Sequence, residues 1–117
     1  MQNMQIILDF GPFTLDAELF NSTIASNFAK SLPYTINLEK WGNEVYGSVG
    51  MDLSEENPIP TIPSGGLAYS KTGSYLCIFF GQTPAWPVEY IGQISGDSWK
   101  KLLGINTYST VTIRLKH

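Results

Sequence analysis

The chain has 117 residues, 43% of them hydrophobic and 15% charged, a balance that folds around a core and excludes a disordered or fibrous protein. Its net charge is -3 and its seven basic residues are scattered, which argues against nucleic acid or an anionic membrane as partner. One cysteine and one histidine make neither an internal disulfide nor a zinc site, so the expectation is a single domain, residues 1–117, with no metal and no cofactor.

Met4 to Phe10 reads as a short apolar strand, with Gly11-Pro12 as the turn behind it. Phe13 to Leu19 returns with Phe13, Leu15, Ala17 and Leu19 alternating against Thr14, Asp16 and Glu18, the pattern of a β-hairpin. Asn21 or Ser22 then caps a helix of about ten residues, whose stripe is Ile24, Ala25, Phe28, Ala29 and Leu32 and which Pro33 ends. A helix that short does not persist alone, so its stripe must pack on the sheet. Tyr34 to Glu39 alternates again, Trp41-Gly42-Asn43 interrupts, and Glu44 to Val49 forms a further strand.

The loop from Met51 to Ser64 holds three prolines and three acids, too many for a helix or strand. Ile59 and Ile62 between the prolines predict that it lies ordered on the domain, with its acidic end mobile. After Gly65-Gly66, the runs Leu67 to Tyr69 and Tyr75 to Phe80, joined over Ser70-Lys71-Thr72-Gly73, make a second hairpin. In its second strand Tyr75, Cys77 and Phe79 alternate with Leu76, Ile78 and Phe80, so neither face is polar and both must be covered. This strand is therefore central, and Cys77 on it is a packed thiol, not a nucleophile. A Pro-rich connection, Gln82 to Val88, carries Trp86. Tyr90 to Ser95 is a strand, Asp97 caps a short helix through Trp99, Leu102 and Leu103, and Tyr108 to Leu115 is the last strand. About eight strands and two short helices predict a mainly β fold, a closed or nearly closed barrel. The expected core includes Leu8, Phe28, Val45, Ala68, Leu76, Ile78, Phe80, Ile94, Val111 and Ile113. No window approaches 18 apolar residues and no basic-then-apolar leader opens the sequence, so the expectation is a cytoplasmic protein outside any membrane.

Four segments carry a resemblance: Leu32-Pro33, Trp41-Gly42-Asn43-Glu44-Val45-Tyr46, Gly66-Leu67-Ala68-Tyr69 and Phe79-Phe80-Gly81-Gln82-Thr83-Pro84. Together they resemble the small bacterial and archaeal proteins of cyclophilin-like fold, a family largely without an assigned reaction. The resemblance covers nearly the whole chain and implies a cyclophilin-like β-barrel. Gly73-Ser74-Tyr75-Leu76-Cys77-Ile78 is similar to a strand of the true cyclophilins, which isomerise X-Pro bonds, but Tyr75 stands where the enzymes have glutamine. The segment matching their catalytic arginine, Leu38-Glu39-Lys40-Trp41, has none. Isomerisation needs a donor fixed at the prolyl nitrogen, so prolyl isomerase activity is not expected.

Glu44 and Tyr46 share one face of their strand while Val45 points inward. A carboxylate beside a phenol suits a ligand's donor groups, and the plain alternative is a strand surface with a salt bridge and a packed ring. Trp41, Tyr69 and Trp86 are the aromatic residues that line a groove or roof the central strand. Gln82 and Thr83 after Gly81 supply polar groups. The leading reading is therefore a domain, not an enzyme, that binds a small molecule or peptide in a cleft formed by Trp41, Glu44, Tyr46, Tyr69, Gln82, Thr83 and Trp86. The alternatives are an enzyme (a weak prolyl isomerase, or a partner of an amide-hydrolysing enzyme, the latter by analogy of fold) and a structural module that self-associates, in the simplest case as a homodimer.

Overall fold

A computed structural model describes residues 3–104 and 110–116 of the chain. The first hairpin forms where the alternation places it, from β1 (Met4–Asp9) and β2 (Thr14–Leu19), with Leu8 opposite Leu15 and Ile6 opposite Ala17. These four are buried, and the pair between them, Ile7 and Asp16, lies on the opposite face. Helix α1 (Thr23–Ala29) follows; the Ser22 hydroxyl is its cap and accepts the Ala25 amide at 3.2 Å. It is seven residues long, shorter than its apolar stripe, because the chain already turns at Ser31 and Leu32 through bonds to Phe28 and Ala29. Ile24, Ala25 and Phe28 still bury their face, and α1 packs against β2 and β8.

The strand expected from Tyr34 to Glu39 divides into β3 (Tyr34–Asn37) and β4 (Glu39–Lys40), which brings the total to nine. The others are β5 (Glu44–Ser48), β6 (Gly66–Ser70), β7 (Tyr75–Phe79), β8 (Glu89–Ile94) and β9 (Thr110–Leu115). They form one antiparallel sheet in the order β3-β9-β1-β2-β8-β6-β7-β5-β4. The two end strands, β3 and β4, are consecutive in the chain with only Leu38 between them, so the sheet curls until its ends nearly meet. Gly47 marks the closure. A Cβ there would stand 2.0 Å from the Asn37 carbonyl oxygen and 2.4 Å from Ile36, so only glycine lets β5 approach β3 this closely. The result is a nearly closed barrel.

All ten expected core residues are buried. Nine of them lie in one cluster inside the barrel, and the tenth, Ala68, belongs to a second cluster with Ile62, Cys77, Phe79 and Val88. Strand β7 serves both clusters, Leu76 and Ile78 facing in and Cys77 and Phe79 facing out, as its unbroken apolar run requires. The outer cluster is covered in part by the loop before β6. Ile59 pairs with Val88 through two backbone bonds of 2.8 and 3.0 Å, and Ile62 is buried beside them. The acidic end of that loop is also tied down: the buried Glu89 carboxylate accepts the amides of Glu56 at 2.8 Å and Asn57 at 2.9 Å. Its side chains face solvent while its backbone is held, so charge composition alone misjudged it.

The second helix is a 3-10 helix, Ser98–Gly104. With three residues per turn, Trp99 and Leu102 share a face, Leu102 buried and Trp99 packed on the core, while Leu103 is turned out to solvent. The expected start of the last strand, Tyr108 and Ser109, lies outside the described residues; Val111 and Ile113 point into the core as their spacing requires. Among the described residues no helix is long and apolar enough to cross a membrane.

Candidate functional site

The outer face of the β6-β7-β5 sheet forms the floor of a cleft of about 340 Å³. Register fixes its rows. Glu44 on β5 stands opposite Phe79 on β7, Tyr46 stands opposite Cys77, and Cys77 in turn faces Ala68 on β6. One row further, Tyr75 on β7 faces Ser70 on β6. Because side chains alternate along each strand, these residues point away from the barrel interior that Val45, Leu76 and Ile78 fill.

Trp41 reaches the cleft because of a tight turn. The amide of Trp41 bonds to the carbonyl of Glu44 at 2.8 Å and the amide of Glu44 to the carbonyl of Trp41 at 3.1 Å, leaving Gly42 and Asn43 as a two-residue hairpin loop. Gly42 takes φ +59 and Asn43 keeps a negative φ, which is the arrangement that calls for glycine at the first loop position. Residues flanking such a loop are cross-strand neighbours on one face, so Trp41 and Glu44 are delivered to the cleft together. Gln82 braces this turn. Its Oε1 accepts the Asn43 amide in a long contact of 3.5 Å and packs so close that a Cβ on Gly42 would stand 2.4 Å from it.

The opposite wall is the segment of Pro84, Ala85, Trp86 and Val88. Its ring is held in place: the Trp86 indole N–H donates to the Ser70 hydroxyl at 2.8 Å, and that hydroxyl donates to the Thr72 carbonyl at 2.8 Å. Ser70 is fully buried and uses both its donor and an acceptor site in this relay. Trp41 and Trp86 are 46% and 45% exposed, so each presents a ring to the cleft and to solvent. Between them the Tyr46 and Tyr75 rings meet edge-on at 5.1 Å.

Among the described residues Glu44 is the one carboxylate that lines the cleft, and it is only 6% exposed. Burial pushes its pKa up, and a hydrogen bond from the Cys77 thiol draws it part of the way back. The thiol responds in the opposite sense to a nucleophile: burial, the Glu44 charge and the bond to Glu44 all push its pKa up, so Cys77 stays protonated. The Tyr46 hydroxyl donates to Glu39 at 3.1 Å, and this bond, with some burial and the charges of Glu39, Tyr75 and Glu44, raises its pKa. Glu44 has no ion pair among the described residues, so the plain expectation of a salt-bridged strand surface is not met there. The protein's arginine, Arg114, is engaged elsewhere, 3.0 Å from Asp9.

Of the residues singled out from sequence, the cleft brings together Trp41, Glu44, Tyr46 and Trp86. Tyr69 is a correction. It is fully buried in the barrel, where its hydroxyl donates to the Met51 carbonyl and accepts the Leu53 amide, both at 3.0 Å, pinning the start of the long loop. The reason is parity: Leu67 and Tyr69 point in, Ala68 and Ser70 point out. Gln82 stands behind the turn and Thr83 is exposed, and neither lines the cleft. Sequence reasoning passed over Ser70, Tyr75, Cys77 and Phe79 as lining residues. Their signal was the alternation along β7, which assigns three of them to the face that is not the core.

The chain is thus a nearly closed β-barrel with an aromatic cleft on its outer face. Residues 4–114 match the model of the family described as cyclophilin-like, and the chain belongs to that family. It is similar to the hypothetical protein AF2241 from Archaeoglobus fulgidus, at 23% identity over 97% of this chain and 95% of that one, with a TM-score of 0.77. It is also similar to McbB, whose structure is a complex with tryptophan, at 17% identity over 96% of this chain and a TM-score of 0.77. The chain spans 45% of McbB, and both likenesses are of fold. No curated protein matches its sequence.

Proposed function

We propose that this domain binds a small molecule in the cleft between Trp41 and Trp86, with Glu44 as its polar anchor and without prolyl isomerase activity. The observation that carries the reading is Glu44 itself: a carboxylate withdrawn from water, facing a cavity, with a thiol as its side-chain partner. Burying a charge without a counter-charge costs free energy, and a ligand that supplies the missing partner recovers it. The surroundings fit. A cleft of about 340 Å³ falls at the low end of small-molecule sites, which run from about 300 to 1,000 Å³, and it has the usual mixture of aromatic walls and a few convergent polar groups. Its size favours a small molecule over an extended peptide, which needs a longer groove. McbB, which shares the fold, binds an amino acid, and this is an analogy of architecture alone.

The isomerase reading lacks its central part. Among the described residues the cleft is lined by an acid and by no arginine or lysine, so none of them donates from a fixed cation to a prolyl nitrogen. The test of the binding reading is an amide NMR spectrum of the labelled protein recorded against a fragment collection. Shifts clustered on Trp41, Tyr46, Cys77 and the Trp86 indole N–H are the expected result. Fragments that shift residues elsewhere, or none that shift these, would refute the assignment of the site.

A further inference from the structure

The geometry points to a small organic cation, a protonated amine on an apolar body, as the ligand class of this cleft. The inference rests on reading the cleft as a binding site and adds the chemistry of what enters it. Among the described residues its lining holds five aromatic rings, those of Trp41, Tyr46, Tyr75, Phe79 and Trp86, and one carboxylate, Glu44, at the floor. The remaining lining is apolar or uncharged, and no basic side chain among the described residues belongs to it.

Each candidate charge meets this arrangement differently. An anion would face the Glu44 carboxylate and the electron-rich faces of the rings, both repulsive, in a site of reduced dielectric. A neutral molecule finds apolar contact and one acceptor. A cation finds an opposite charge and ring faces that attract it, and both attractions strengthen away from water. The carboxylate further selects an N–H-bearing cation. Its two oxygens accept N–H donors, and the ammonium group of an amine supplies them.

Two of the rings are set in position before the ligand arrives. Trp86 is held by Ser70 and Tyr46 by its bond to Glu39 and its contact with Tyr75, while the two-bond turn to Glu44 sets the backbone from which Trp41 projects. Little side-chain order then remains to be imposed on binding. Glu39, bonded to Tyr46 at the edge of the sheet, adds a second negative charge that favours approach of a cation.

Titration follows from the same groups. The titratable neighbours of Glu44 are Tyr46 on its own strand, Cys77 and Tyr75 on β7, and Glu39 on β4 through Tyr46; the segment of Pro84, Ala85, Trp86 and Val88 brings none. Cys77 and Tyr46 are both shifted upward and stay neutral near neutrality. Amine affinity is therefore expected to rise with pH while Glu44 gives up its proton and to stay level until the amine itself loses its charge.

The experiment compares 2-phenylethylamine, 2-phenylethanol and phenylacetate, alike in shape and differing in charge, by calorimetry and tryptophan fluorescence on the full chain. The expected order is amine, then alcohol, then acid, with the amine bound about ten-fold or more tighter than the alcohol. Glu44→Gln should bring the amine to the alcohol's affinity and leave the alcohol almost unchanged. Trp86→Leu removes a ring face and should weaken the amine several-fold more than the alcohol. Equal binding of amine and alcohol, tighter binding of phenylacetate, or an amine preference that survives Glu44→Gln would each overturn the cation reading. If all three compounds fail while other fragments still shift Cys77 and Trp86, the cation inference falls and the binding site stands. If no compound of any charge shifts those residues, the site itself is refuted.

Discussion

The bond between Trp86 and Ser70 is the contact on which the shape of the cleft most depends, and its worth can be measured directly. The indole N–H and the Ser70 hydroxyl are 2.8 Å apart, and the hydroxyl is buried between Trp86 and the Thr72 carbonyl. A neutral hydrogen bond of this kind contributes about 0.5–1.5 kcal/mol net. Ser70→Ala removes both bonds of the hydroxyl; the half-exposed indole recovers part of its loss from water, so a total cost of about 1–2 kcal/mol is expected. For a domain of this size that lowers the melting temperature by roughly 4–10 °C. Trp86→Phe keeps an aromatic ring but has no donor, and the double variant closes a cycle that isolates the pair. Chemical denaturation of the four proteins should give a coupling of about 0.5–1.5 kcal/mol, with Trp86 emission shifted to the red in Ser70→Ala. Additive costs, with coupling inside about 0.3 kcal/mol, would mean that Ser70 does not hold the ring.

Three further outcomes follow. Glu44 has a raised pKa in the fold, so its proton stabilises the native state at low pH. That stability declines as pH rises above its unfolded value near 4.5 and is gone above the folded one. Glu44→Gln should consequently be more stable than the parent at neutral pH, with the advantage fading below about pH 4.5, and a variant less stable at pH 7 would contradict the buried-charge argument. Phe80 is fully buried in the barrel core, so Phe80→Ala should cost about 3–5 kcal/mol, and a melting curve that hardly moves would show the core misassigned. A protease-coupled assay on short X-Pro peptides should show no rate above background; a rate within about two orders of magnitude of a true cyclophilin would sink the non-enzyme reading.

The barrel was legible wherever one face of a strand is polar, because period-two alternation then states which side is in. β2 and β9 are of this kind. β7 is apolar on both faces, and there the sequence says only that two layers meet on it, without saying which loop makes the second layer. That cover comes from the segments around Ile59 and Trp86, joined through the Ile59–Val88 bridge, a contact between residues far apart in the chain that no local pattern encodes. The split between β3 and β4 was hidden for the same reason, since it arises from closure of the sheet at Gly47. Glu44 and Tyr46 could be paired from their spacing alone. Tyr69 and Ser70 could not be told apart, because β6 is buried on both faces and its alternation alone does not say which face is the barrel interior. Burial of Glu44 depends on the walls built by Trp41 and Trp86, and so it became visible only with the fold.

The outer cleft as a charge-anchored binding site is tested most directly by a crystal structure of the protein grown with 2-phenylethylamine. The predicted result is an ammonium nitrogen about 2.7–2.9 Å from a Glu44 carboxylate oxygen, with the phenyl group lodged between Trp41 and Trp86. An empty cleft at saturating amine, or an amine bound with its nitrogen turned away from Glu44, would contradict it.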